Sequence, residues 1–229
     1  MVNVFQKKIL IVAVYAAEIM MRNGAEIYRV EDTVTRICKA GRIKHVEVFA
    51  TPTGIFVSMD SGDENDDPLT YIKRIHETGT NLSKISKVNH FSREFFDTDL
   101  SVEEGMDILR EIDREEEYPY MVRTLAAAIV CSFFTVIFGG TIIDALVAVI
   151  SGISCYVLSI MFRKLNINSF IRCFFCCGLA ALIALLAASS IPDASYDPII
   201  IGTIMLFVPG AAITNAIRDF LSGDMLAGT

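Results

Sequence analysis

Between residues 120 and 221 the chain is apolar almost without a break. Four stretches, at 120–138, 141–162, 170–190 and 199–217, are each close to the roughly 20 residues that a bilayer-spanning helix needs. In lipid the backbone of such a segment must satisfy its own hydrogen bonds, which makes it a helix. The preceding 118 residues are of another kind and hold most of the Lys, Arg, Asp and Glu, including Arg110-Glu-Ile-Asp-Arg-Glu-Glu-Glu117. The averages, 53% hydrophobic residues and a net charge of −7 over 229 residues, conceal that division. The pattern predicts an α-helical membrane protein with an N-terminal α+β domain at 1–118 and a transmembrane helical domain at 119–229 that carries four helices.

Charge in the short loops sets the orientation. Arg163 and Lys164 lie between the second and third stretches, Arg172 opens the third and Arg218 closes the fourth, all on the side of the N-terminal domain. The opposite side has Gly139-Gly-Thr141 and Ile191-Pro-Asp-Ala-Ser-Tyr-Asp-Pro198, with no Lys or Arg. By the positive-inside rule the N-terminal domain is cytoplasmic, and Tyr118, Tyr120 and Tyr196 fall at interfaces. Residues 1–12 place lysines before apolar residues, but Tyr15, Glu18 and Arg22 interrupt the run and no small-residue cleavage site follows, so an amphipathic helix is expected rather than a signal peptide.

In the N-terminal domain, apolar residues at helical spacing predict helices over 4–23, with Gly24 as its C-cap, and over 25–40, ended by Gly41. Alternation around 46–50 and 55–59 predicts two strands joined by a hairpin turn at Thr51-Pro-Thr-Gly54, with 70–76 as a third strand. The acidic loop 60–68 lacks the central Gly and terminal Glu of an EF-hand and reads as a solvated turn. Helices follow at 81–96 and 102–117, the second opened by a capping box at Ser101-Val-Glu-Glu104.

The domain lacks the marks of several other functions. His45, His76 and His90 are scattered without metal-ligand spacing, and neither a Gly-x-Ser-x-Gly elbow nor a phosphate-binding loop occurs, so no catalytic, metal or cofactor site is expected. The basic residues are neither clustered nor in excess, which argues against nucleic acid. Cys173-Phe-Phe-Cys-Cys177 lies inside an apolar stretch and reads as small apolar packing, while Cys38 is expected to stay reduced.

The fourth stretch is interrupted by Pro209-Gly210, after which Asn215, Arg218 and Asp219 fall within a turn of one another. Charges at membrane depth cost about 2.5–3.5 kcal/mol each on insertion scales, so they face a cavity or a partner. A proline break frees a carbonyl one turn back, near Met205, and the half-helix that follows begins with partial positive charge, an arrangement that favours carboxylates in transporters with broken helices. The expected solute contacts are Pro209, Gly210, Ala211, Thr214 and Asn215, with Arg218 supplying charge at the cytoplasmic mouth. The alternative is a packing kink beside an interfacial Arg218–Asp219 pair. Asp144 reads either as a proton-coupling carboxylate or as a helix-start residue favourable to the dipole. Glu26 and Arg29, with Arg22, read either as a gate or as intradomain ion pairs.

Four motifs stand in order along nearly the whole chain: Asn23-Gly-Ala-Glu-Ile-Tyr-Arg-Val-Glu31, Val46-Glu-Val-Phe-Ala-Thr-Pro-Thr-Gly-Ile-Phe56, Gly139-Gly-Thr-Ile-Ile-Asp144, and the Val-Pro-Gly, Asn-Ala-Ile-Arg-Asp and Gly-Asp pattern of 208–224. Together they resemble the threonine/serine exporter (ThrE) family. The chain is similar to the short, YjjP-like subunit type. The resemblance implies secondary export of a small polar carboxylate, threonine and serine or succinate, without a cofactor. It further implies a separate YjjB-like small membrane protein as partner, an oligomer in the lipid of the cell inner membrane, and a fifth apolar helix after the Gly-Asp pair, a pattern before which the sequence stops at Thr229. A membrane scaffold or sensor whose N-terminal domain binds a partner is the alternative, followed by a membrane-bound hydrolase.

Overall fold

The computed structural model describes residues 4–60, 68–76, 78–98, 100–116, 118–221 and 223. They form two compact units, one of residues 1–116 with 210–229 and the other of residues 117–209. The acidic loop lies almost wholly outside the described residues, as does Asp224 of the Gly-Asp pair.

The first unit is built around helix α1 (Val4–Arg22), which contacts α2 (Ile27–Ala40), α3 (Leu82–Asp97), α4 (Val102–Arg114) and the strand β2 (Gly54–Asp60). Neighbours on so many sides explain why Ile9, Leu10, Val12, Ala13, Val14, Ala16, Ala17, Ile19, Met20 and Met21 are all buried. The expected single stripe is therefore wider than its spacing implied, and Phe5 at its start is half exposed. The strands β1 (His45–Thr51), β2 and β3 (Leu69–Arg74) make an antiparallel meander in the order β1-β2-β3. Its register pairs Phe49 with Phe56 and Phe56 with Ile72, which places these three side chains in one exposed row, while Ala50, Ile55, Val57 and Met59 are buried. The Ser101–Glu104 capping box forms as its spacing predicts, and α4 ends at Arg114 rather than 117.

In the second unit, α5 (Tyr120–Ile137), α6 (Ile142–Lys164) and α7 (Ser169–Ser190) are the three helices long and apolar enough to cross a membrane among the described residues. α5 closes with Gly139 at φ +86, the N–H groups of Gly139 and Gly140 returning to the carbonyls of Val136 and Thr135. The expected fourth helix is not continuous. It is divided into α8 (Tyr196–Ile204), of nine residues, and α9 (Gly210–Leu221), with turns over 205–208 before Pro209. Proline lacks the N–H for a helical bond, clashes with the preceding turn and disfavours helical backbone at the residue before it. The helix stops one turn short of Pro209, as the break predicts, but neither half alone is long enough to span.

Close approach of α8 to α5, and of α6 to α5, depends on missing side chains. A Cβ on Gly202 would lie 2.1 Å from Thr135 Oγ1, and one on Gly152 would lie 2.7 Å from Cys131 Sγ. Small residues at these positions let backbones approach where hydrophobicity supplies no drive between helices in lipid. The thiols serve the same packing: Cys131, Cys155 and Cys176 are buried, and Cys173 and Cys177 lie one turn apart on α7 with Sγ atoms 3.9 Å from each other.

Candidate functional site

The polar residues after the Pro209 break meet the turn between α1 and α2. Gly24 makes that turn at φ +82, and bonds from Gly24 N–H to the Met21 carbonyl and from Ala25 N–H to the Met20 carbonyl close α1. Three successive carbonyls at the helix end then take donors from distant segments. The Gly79 N–H reaches Arg22 at 2.8 Å, the Asn81 N–H reaches Asn23 at 3.1 Å, and Asn215 Nδ2 reaches Gly24 at 2.8 Å. Asn215 is the side chain that ties α9 to the turn.

Glu26 stands at the N-cap of α2, yet its side chain makes no capping bond to that helix. Its carboxylate, 11% exposed, receives one guanidinium on each oxygen: Arg29 Nη2 lies 2.7 Å from Oε2, and Arg218 Nη1 donates to Oε1. A carboxylate so little hydrated is tolerable only when paired and hydrogen-bonded. The Arg29 guanidinium also lies 5.9 Å from the centre of the Tyr28 ring. Asp219, the next residue after Arg218, is buried.

Of the residues singled out from sequence, Gly210, Ala211, Thr214, Asn215, Arg218, Asp219, Glu26 and Arg29 belong to the first unit, and Asn215, Arg218, Glu26 and Arg29 share the contacts just described. The other expected solute contacts are set apart, with Pro209, Gly210, Ala211 and Thr214 exposed and no atom within 4 Å of where a Gly210 Cβ would lie. Arg22 does not join Glu26, because the Gly24 turn breaks the helical register between them. It lies instead 3.8 Å from Asp113, which also accepts the Tyr15 hydroxyl at 3.0 Å. Burial, reinforced by that hydrogen bond, pushes the Tyr15 hydroxyl up to about 12.

Asp144 belongs to the second unit and is fully buried. Its Oδ2 accepts the Thr141 N–H at 2.8 Å and the Thr141 hydroxyl at 2.9 Å, and its Oδ1 accepts the Ser195 N–H at 2.7 Å. With the Asp144 N–H returning to Thr141 Oγ1, this is a capping box that opens α6 and also pins the loop before α8. The Thr141-x-x-Asp144 spacing carried the first half of that arrangement. No local signal carried Ser195, nor the Gly24 carbonyl that Asn215 finds. Among the described residues no group of three or more His, Cys, Asp or Glu is set to hold a metal ion.

Apolar helices of spanning length, joined to an α+β domain and followed by a stretch broken at Pro209, describe a membrane protein. The profile of the threonine/serine exporter (ThrE) family matches residues 11–229, and the chain belongs to that family. Among curated proteins, one from Mycobacterium tuberculosis (strain ATCC 25618 / H37Rv), named "Probable threonine/serine exporter", is 21% identical over 221 residues, covering 96% of this chain and 41% of the relative. The chain therefore spans well under half the length of that relative. No solved structure matches it. The family is one of exporters, not of enzymes.

Proposed function

We propose that this chain is the membrane subunit of a secondary exporter of small polar carboxylates, threonine and serine or succinate, working in the inner membrane with a YjjB-like small membrane protein. The observation that carries the reading is the pairing of Asn215 and Arg218, just beyond the Pro209 break, with the Gly24 carbonyl and the Glu26 carboxylate. An amide and a guanidinium match the hydroxyl, amine and carboxylate groups of such solutes. In this proposal the Gly210 and Ala211 N–H groups, Thr214 and Asn215 hydrogen-bond the solute beside Pro209. Arg218 binds its carboxylate, and Glu26, Arg29 and Asp219 gate access. Proton coupling through Asp144 requires that the Ser195 bond open during the cycle, and Asp144→Asn tests it by whether the pH dependence of export disappears.

Charge supports a cytoplasmic first unit. Arg163, Lys164 and Arg172 cluster where α6 ends and α7 begins, and the Lys164 ammonium lies 5.6 Å from the centre of the Tyr120 ring at the start of α5. The turns at the other ends of these helices contain Asp193 and no Lys or Arg. The partner chain and the oligomer are part of the proposal and are tested by measuring export with this chain expressed alone and together with that partner.

A second reading, a scaffold or sensor that docks a partner, is favoured by the exposed Phe49, Phe56 and Ile72 row. Asn215→Ala separates the two. In cells lacking their own exporters, an exporter with this substitution reaches the membrane in normal amount but loses efflux of labelled solute. Efflux at the unsubstituted rate removes the site.

A further inference from the structure

Resting on the carboxylate-export reading, we propose that Arg29, in addition to gating, joins Arg218 as the binding pair for the solute's carboxylate, and that Glu26 fills this pair in the present conformation as an internal stand-in that the solute displaces. Three observations carry the step. First, Glu26 occupies an N-cap position without capping: its backbone is extended at φ −65 and ψ 138, and its side chain leaves the N–H groups of α2 alone. Second, its two oxygens are divided between two elements, with Arg29 from α2 on one and Arg218 from α9 on the other. Oε1 accepts a hydrogen bond from Arg218, whereas the buried Oε2 faces Arg29 as an ion pair without a hydrogen bond, so Glu26 fits the pair incompletely. Third, Glu26 presents the same chemical group as the proposed solutes. Exchanging its carboxylate for a solute carboxylate keeps one carboxylate group against Arg29 and Arg218.

The exchange gives Glu26 a task that a fixed ion pair lacks. Two guanidiniums face one little-hydrated carboxylate, although Arg29 and Arg218 are themselves 37% and 50% exposed, and the tighter such a pair holds a solute the more slowly it releases it. A tethered carboxylate that returns to the pair ejects the solute and keeps apparent affinity low. Selectivity follows, because a solute without a carboxylate cannot compete with Glu26.

The test uses the full chain together with its small membrane partner in lipid nanodiscs, with binding of serine, threonine, succinate and serinamide followed by calorimetry. Glu26→Gln keeps the shape of the side chain, removes the competing charge and loses no cap. It is expected to tighten binding of the bound carboxylate by about tenfold and to leave serinamide without measurable binding. Arg218→Gln in the Glu26→Gln background is expected to reverse the gain. Glu26→Asp, which shortens the reach of the competitor, gives a smaller tightening and serves if the Gln protein does not assemble. Unchanged or weaker carboxylate binding in the Glu26 variants, alongside a wild-type protein that exports one of these solutes, overturns the stand-in while leaving the exporter reading in place. A wild-type complex that neither binds nor exports any of them overturns both.

Discussion

Asn215 reaches a backbone carbonyl 191 positions away, at Gly24, so no inspection of its own surroundings in the sequence reveals the partner. Residue chemistry was legible where the partner is local: Ser101 with Glu104 forms the expected box, and Thr141 with Asp144 follows the same spacing. Asp144 holds more than its helix start, and the consequence is measurable. Asp144→Ala leaves the Thr141 N-cap in place but strands the Thr141 and Ser195 N–H groups, each a loss of about 1–3 kcal/mol. A clear drop in the melting temperature of the purified protein is expected; a wild-type melting curve contradicts the arrangement. Cys38 offers a second check at this scale. It is fully buried, and burial pushes its thiol up to about 12. Near neutral pH it carries almost no thiolate, the reactive form. Maleimide followed by peptide mass spectrometry is expected to modify Cys38 only after denaturation, and rapid labelling of the native protein contradicts the packing around α1 and α2.

At the scale of elements, periodicity located the helices and strands of the N-terminal unit to within a few residues, because each buries a regular apolar face. It failed at the fourth apolar stretch. Length and hydropathy there suit a span, but Pro209 ends one helix, and on α9 Asn215 is committed to the Gly24 carbonyl and Arg218 to Glu26, while Asp219 is buried. The seam of the second unit predicts a sharp contrast between glycines. Gly202→Ala forces a methyl group against Thr135, whose N atom would lie 2.7 Å from the new Cβ, and is expected to cost about 1–3 kcal/mol, as overpacking does. Gly178, also helical, has nothing within 4 Å, so Gly178→Ala is expected to be neutral or to gain up to about 1 kcal/mol from helix propensity. Equal thermal stabilities of the two variants in the same detergent contradict the close approach of α8 to α5.

At the scale of the whole molecule, the described residues form one unit up to residue 116 and a second from 118 to 209, and residues 210–221 group with the first. Composition was enough to show a membrane protein because the cost of burying charge in lipid separates the two halves of the sequence. It was not enough to show which unit claims α9, since that depends on partners far apart in the chain. Family membership sets the transport class; the solute, the partner and the direction of the first unit rest on the chemistry proposed above. The measurement that bears on it most directly is efflux of labelled threonine, serine and succinate from cells lacking their own exporters, with this chain expressed alone and together with its small membrane partner. Efflux of at least one of these solutes, only when both chains are present, is the predicted result. No efflux of any of the three with both chains shown to be in the membrane contradicts the account.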